Sequence, residues 1–175
     1  ATPSDGSIAS SPVIPELGFG LNSRAQMFWL QEGLPSTLEP GKRPRTTLSP
    51  TMALRQGEGF LAYGTPGGDK QDQWQTIFLL RHLHMGFNLQ EAIEAPCFHS
   101  EHFPESFNPR KADPGRIVLE NHFPAEVIHE LRKRGHRITV GPEWSEGRMC
   151  AVSKEENLLK AGANPRGMQG YAVGR

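Results

Sequence analysis

Residues Lys42–Gln75, KRPRTTLSPTMALRQGEGFLAYGTPGGDKQDQWQ, constrain the fold of this chain more than any other stretch. Two polar turns, RPRTT at 43–47 and GTPGG at 64–68, flank two short apolar runs. Thr47–Leu54 and Gly59–Tyr63 are expected to be the strands of a hairpin around Arg55-Gln-Gly-Glu58. Beyond Gly67-Gly68, residues 69–84 place Trp74, Ile77, Phe78, Leu80 and Leu83 at helical spacing. That apolar arc is wide, so the helix is predicted to be largely covered. A glycine pair at a strand-to-helix turn leaves backbone N–H groups bare to face a developing negative charge. The stretch therefore reads as half of an acyl-transfer site.

The remaining segments alternate in blocks. Residues 1–16 read as loop, Gly18–Asn22 as a short extended piece, and 33–45, with Pro35, Pro40 and Pro44, as surface loop. Gly86 suits a helix stop. Asn88-Leu-Gln-Glu91 reads as a capping box, with Phe87 ahead of it as a staple and Pro96 ending the helix. Cys97–His102 looks extended, 105–115 is a polar connection, and Ile117–Glu120 is a strand. Pro124 opens a helix with the apolar stripe Val127, Ile128, Leu131, closed by Gly135; His136–Val140 is the next strand. Met149–Ser153 and Asn157–Ala163 form a last hairpin around Lys154-Glu-Glu156. No internal repeat is found, and the order is not strictly βαβ. The fold class expected is α+β, a mostly antiparallel or mixed sheet with helices layered on it, residues 1–175 forming a single unit.

Nineteen basic and 19 acidic residues cancel, which gives no electrostatic case for nucleic acid or membrane. The 19 glycines and 15 prolines are dispersed among apolar segments and mark turns rather than disorder. Cys97 and Cys150 show no framework pattern, and each reads as a lone buried thiol. His99-Ser-Glu-His102 is the densest of the histidine groups, yet residues three apart on an extended chain face opposite ways. His82 and His84 fail to share a helix face, so ordinary polar histidines are preferred and no metal or other cofactor is expected. Thr2 follows Ala1 and lacks the free α-amine that a terminal threonine nucleophile uses as its base. Thr46 and Thr47, beside Arg43 and Arg45, are suited to holding a carboxylate.

KRPRTTLSPTM followed by GTPGGDKQDQWQ resembles the small-subunit part of the gamma-glutamyltransferases, and the likeness extends through GFNLQEAIEAP, Phe98-His99, the helix before Gly135 and Asn164-Pro-Arg166. The resemblance implies an N-terminal-nucleophile hydrolase, an αββα sandwich in which a self-cleaving precursor yields a large and a small subunit. A new N-terminal threonine attacks the γ-glutamyl amide and passes the acyl group to water or an amine. By motif, Gly67 and Gly68 are the oxyanion hole, and Thr46 and Thr47 hold the α-carboxylate of the glutamyl group. The large subunit and a small-molecule acyl amide are the implied partners. The compartment is left open between periplasm, exterior and cytoplasm.

Two departures from that family pattern matter. The threonine segment does not precede Ala1, so the chain by itself is expected to be inactive and, with an apolar face bare, to self-associate. Aligned on Leu21-Asn22, the places for an amide and an ammonium-binding acid hold Arg24 and Met27. Arg24 would favour a carboxylate-bearing acyl group instead. The leading reading is γ-glutamyl hydrolysis or transfer on glutathione-type substrates. The alternatives are a cephalosporin-acylase-like amidohydrolase for other dicarboxylic-acyl amides, and a non-catalytic domain that binds a partner chain.

Overall fold

A computed structural model describes residues 12–168 and 170–173; Thr2 lies outside the described residues. The chain divides into two compact units, residues 1–47 with 105–111, and residues 48–104 with 112–175.

In the first unit, β1 (Val13–Ile14) and β2 (Phe19–Gly20) make a small antiparallel hairpin. A 3-10 turn, Arg24–Met27, follows. Trp29 bridges Thr37, whose hydroxyl accepts from Leu34 N–H at 2.9 Å and donates to the Gln31 carbonyl at 2.7 Å. The proline-rich loop is thereby tied by side-chain hydrogen bonds in place of a ladder. From the 105–111 segment, Arg110 donates to the Phe28 carbonyl at 2.6 Å and lies over the Trp29 ring at 4.4 Å.

The second unit carries two sheets. β3 (Thr51–Arg55), β4 (Glu58–Gly64), β8 (Cys150–Glu155) and β9 (Leu158–Ala163) form an antiparallel sheet in the order β3-β4-β8-β9. β5 (Phe98–Ser100), β6 (Arg116–Glu120) and β7 (Arg137–Gly141) form the other, with β6 and β7 parallel. The parallel pair needs a crossover, and α3 (Ala125–Lys133) supplies it. The first hairpin turns on Gln56 and Gly57, both at positive φ, as a tight two-residue hairpin loop demands. β3 begins at Thr51, four residues later than the apolar run implies, because Pro50 has no N–H for a ladder. Hydroxyls flanking Pro50 bond a helix instead: Thr51 donates to Gln75 Oε1 at 2.6 Å, and Ser49 accepts from Gln75 Nε2 at 2.7 Å.

That helix, α1 (Gln71–His84), follows a 3-10 turn at Gly68–Lys70. It buries Gln71, Trp74, Gln75 and Phe78, while Leu80 and Leu83 remain exposed. The buried stripe is thus narrower than expected and half polar, because two glutamines are needed where Pro50 interrupts the edge of the sheet. α2 (Leu89–Glu94) has the expected capping box: Asn88 Oδ1 accepts from Glu91 N at 2.9 Å and Glu91 Oε2 from Asn88 N at 2.8 Å. The inner face of the β3-β4-β8-β9 sheet sends Leu61, Tyr63 and Ala151 against Trp74, Phe78, Leu89 and Ile93, which forms the core. Its outer face carries exposed Met52, Leu54, Val152 and Leu159. Among the described residues no helix is long and apolar enough to cross a membrane.

Glu120, at the end of β6, is fully buried. It takes a two-point contact from Arg166, Nε to Oε1 at 2.7 Å and Nη2 to Oε2 at 2.8 Å, and accepts the N–H groups of Cys97 and Glu146 at 2.9 Å each. Arg166 also donates to the carbonyls of Ile93 at 2.7 Å and Ala95 at 3.2 Å, where α2 ends. Burial pushes the Glu120 carboxyl up, but these hydrogen bonds outweigh it and hold it below the usual carboxylate range. A carboxyl depressed in the folded state contributes stability that is complete above the unfolded pKa and is lost as pH falls through the folded value. Glu120→Ala leaves a buried unpaired guanidinium and is expected to cost about 3–5 kcal/mol in urea unfolding at neutral pH. The gap between wild type and variant should shrink below about pH 4, where Glu120 becomes protonated on unfolding; a gap constant with pH would contradict the assignment.

Candidate functional site

The Gly64-Thr-Pro-Gly-Gly68 turn leaves β4 and enters α1 through backbone that L side chains avoid. Gly67 sits at φ 142° and ψ 24°, and Gly68 at φ 60°. The Trp74 ring lies where a Gly67 side chain would go, inside van der Waals contact of a Cβ built there. Gly67 is therefore required twice, by dihedral and by space. Among the described residues neither the Gly67 nor the Gly68 N–H donates a hydrogen bond, as befits the opening of a helical segment. The turn closes with Lys70 N–H to the Gly67 carbonyl at 3.3 Å. Two bare, adjacent N–H groups at the head of a helix are what a negatively charged oxygen needs.

The other expected site residues lie in the first unit. Thr46 is exposed and Thr47 is 8% exposed. Arg24 is 2% exposed, and its Nη1 donates to Thr47 Oγ1 at 2.9 Å and reaches Met27 Sδ at 3.3 Å. Its guanidinium lies 5.7 Å from the centroid of Phe107, and its backbone N–H bonds Asn22 Oδ1 at 2.6 Å. Arg24 and Thr47, 23 residues apart, are thus brought together. A guanidinium has no lone pair, so Thr47 is the acceptor here and its own O–H is left to donate.

His99 and His102 part company. His99 is 2% exposed, with Nδ1 bonded to Glu146 and Nε2 3.5 Å from Glu101. His102 is exposed and accepts from Gly115 N–H at 3.3 Å. Among the described residues no group of three His, Cys, Asp or Glu side chains could hold a metal ion. Cys97 and Cys150 are both free thiols. Burial pushes the Cys97 thiol up to about 11, although Arg81 opposes it, so it stays protonated and is no nucleophile. Glu146, Thr65 and the packing of Trp74 beneath the glycine turn escape sequence reasoning, since each depends on contacts seven or more residues away.

The model of the gamma-glutamyltranspeptidase family matches residues 3–174. The glutathione hydrolase-like YwrD proenzyme of Bacillus subtilis is 34% identical over 163 residues, which are 91% of this chain and 30% of that protein. The oxamate amidohydrolase proenzyme of Klebsiella pneumoniae is 32% identical over 94% of this chain and 30% of its own length. The solved LmbA2991HD structure is 56% identical with a TM-score of 0.86, and the match covers 95% of this chain and 30% of that one. The chain thus spans about a third of the length of the curated relatives that it matches along most of its own. Its fold is that of the solved gamma-glutamyltranspeptidases, which are N-terminal-nucleophile hydrolases, with α+β content and mostly antiparallel sheets.

The double requirement at Gly67 is open to a direct check. Gly67→Ala is expected to lose about 1–3 kcal/mol in urea unfolding, from overpacking against Trp74 and strain at positive φ. Gly64→Ala, where a Cβ meets nothing within 4 Å, should change stability by less than about 0.5 kcal/mol. Equal losses at the two positions would remove the case for Gly67.

Proposed function

The chain belongs to the gamma-glutamyltranspeptidase family, and on that premise we propose that it is the small-subunit part of an enzyme that hydrolyses or transfers γ-glutamyl groups of glutathione-type substrates. The observation that supports this most is the Gly67–Gly68 turn, in which two adjacent N–H groups are bare and Gly67 is packed against the Trp74 ring. In the proposed reaction an N-terminal threonine, supplied by the parent protein, attacks the amide carbonyl with its α-amine as base. The tetrahedral oxyanion accepts from the Gly67 and Gly68 N–H groups. Collapse expels the amine, and water or a second amine takes the acyl group from the threonine ester. One donor in such a hole is worth about 3 kcal/mol of transition-state stabilisation. Thr46 and Thr47 hold the acyl group's carboxylate, with Thr47 as donor because Arg24 occupies its acceptor side.

One observation favours a second reading. Arg24 and Met27 stand where the family pattern has an amide and the acid that pairs with the glutamyl ammonium, and the Arg24 charge beside Thr47 disfavours a cation there. A dicarboxylic acyl group without an ammonium fits that environment better. The name of the oxamate amidohydrolase relative points to such chemistry. Full-length protein assayed with γ-glutamyl-p-nitroanilide and glutaryl-p-nitroanilide separates the two. The leading reading expects at least tenfold higher kcat/KM for the γ-glutamyl compound; a reversed ratio selects the second. Neither self-cleavage nor turnover would leave a partner-binding domain as the better account.

The large subunit from the same precursor is the proposed partner. Met52, Leu54, Val152 and Leu159 lie on one exposed sheet face, an apolar surface that folding of this chain leaves in water. The isolated chain is expected to self-associate, with a light-scattering mass that rises with concentration. A monomer mass constant from about 1 to 100 μM would count against that cover.

A further inference from the structure

A turn built from two glycines at positive φ has the greatest backbone freedom that a chain offers. An oxyanion donor, however, must be held to within a few tenths of an ångström of its working position. The rigidity has to come from outside the turn, and the structure shows one source. Arg148 N–H donates to Thr65 Oγ1 at 2.8 Å, and the same hydroxyl donates to the Pro66 carbonyl at 2.8 Å. The Thr65 hydroxyl thereby both accepts and donates, and is pinned between the 142–148 loop and the residue before Gly67. A Cβ on Gly147 would stand 3.2 Å from Trp74 Cδ2 and 3.3 Å from Cγ, so the five-membered side of the indole lies close to that loop's backbone. The six-membered side lies against Gly67.

Two further contacts fix the loop itself. Glu146 is buried and its carboxylate bonds His99 Nδ1, while its N–H donates to the buried Glu120 carboxylate at 2.9 Å. His99 in turn meets Trp74 edge to face, with ring centroids 6.0 Å apart and planes at 89°. Glu146, His99, Trp74 and Gly147 therefore close a ring of contacts that passes beneath Gly67. Each member lies in the second unit, and none is a candidate to touch substrate.

We infer that the Pro142–Arg148 loop is a positioning strap for the Gly67–Gly68 turn, attached at Thr65 and through Trp74 and anchored by the Glu146–His99 pair. The inference rests on the oxyanion reading of that turn. Thr65 and Glu146 are its positioning residues: they act on the donors through the loop and the indole.

The test uses full-length protein bearing Thr65→Val, which keeps shape and loses the acceptor, Thr65→Ser, which keeps the hydroxyl, and Glu146→Gln. Hydrogen exchange of a peptide spanning 64–70 is read beside one spanning 125–133, together with kcat and KM on the better of the two p-nitroanilides. Thr65→Val and Glu146→Gln are expected to speed exchange in 64–70 at least tenfold, with 125–133 unchanged. They should lower kcat at least tenfold with KM within threefold, and Thr65→Ser should retain at least half of both wild-type protection and kcat. Wild-type exchange in Thr65→Val, or equal damage from Thr65→Ser, overturns the strap. Should Glu146→Gln fail to fold, the Thr65 pair decides. Wild-type protein without turnover would sink the proposed activity, while exchange would still decide whether the strap exists.

Discussion

The buried contact between Glu120 and Arg166 is the interaction on which the second unit depends. A carboxylate removed from water loses far more than one Coulomb partner returns, so such a pair persists only when further hydrogen bonds meet the carboxylate and most of the guanidinium. Here those bonds come from separate segments. β6 brings the carboxylate, the tail brings the guanidinium, the start of β5 and the 142–148 loop each bring an N–H, and the end of α2 brings two carbonyls. Arg166 also stacks under Trp144, its guanidinium 5.0 Å from the ring centroid. Each sheet therefore touches the pair, directly or through one neighbour. The carboxyl stays ionised because the hydrogen bonds outweigh burial.

From that pair the order passes outward to the glycine turn. Glu146 takes its backbone position from Glu120 and uses its side chain on His99. His99 sets an edge against Trp74, and Trp74 fills the space a Gly67 side chain would need. α1 is seated by a parallel device. Gln73 mimics a strand edge, its Nε2 donating to the Ser100 carbonyl at 3.0 Å and its Oε1 accepting from Ser100 N–H at 2.7 Å. Gln75 meets the hydroxyls beside Pro50. The helix that carries the turn is thus located by amide side chains as much as by apolar burial. This explains why so polar a helix docks at all.

What the sequence made legible was local chemistry. The capping box at Asn88, the two-residue turn at Gln56-Gly57 and the helix after Pro124 each follow from a few adjacent residues. The motif at 64–68 was legible as a place needing glycine. The rest depended on pairing across distance. Nothing near Glu120 says that it will be buried, since an acid ending a strand is ordinarily solvated and only Arg166, 46 residues on, makes burial tolerable. β3 starts later than its apolar content suggests, because that content continues through Leu48 while Pro50 cannot donate. The covered arc of α1 is narrower than periodicity implies, because periodicity weighs Leu80 and Leu83 as apolar and gives no credit to Gln71 and Gln75.

Arg24 shows how far such reasoning can be carried at one residue. By substitution pattern alone it looks like a group that grips substrate directly. At 2% exposure, with one guanidinium nitrogen on Thr47 and another residue's aromatic ring alongside, it is built into its own unit. Its influence on a ligand is then of two kinds. It fixes the sense of the Thr47 hydroxyl, since arginine can only donate, and it places a positive charge one hydrogen bond behind that hydroxyl. Both effects favour an anionic acceptor in front of Thr47 and weigh against an ammonium. A buried arginine acting through a threonine can therefore change which acyl group is accepted while leaving in place the hydroxyl that is proposed to hold the carboxylate.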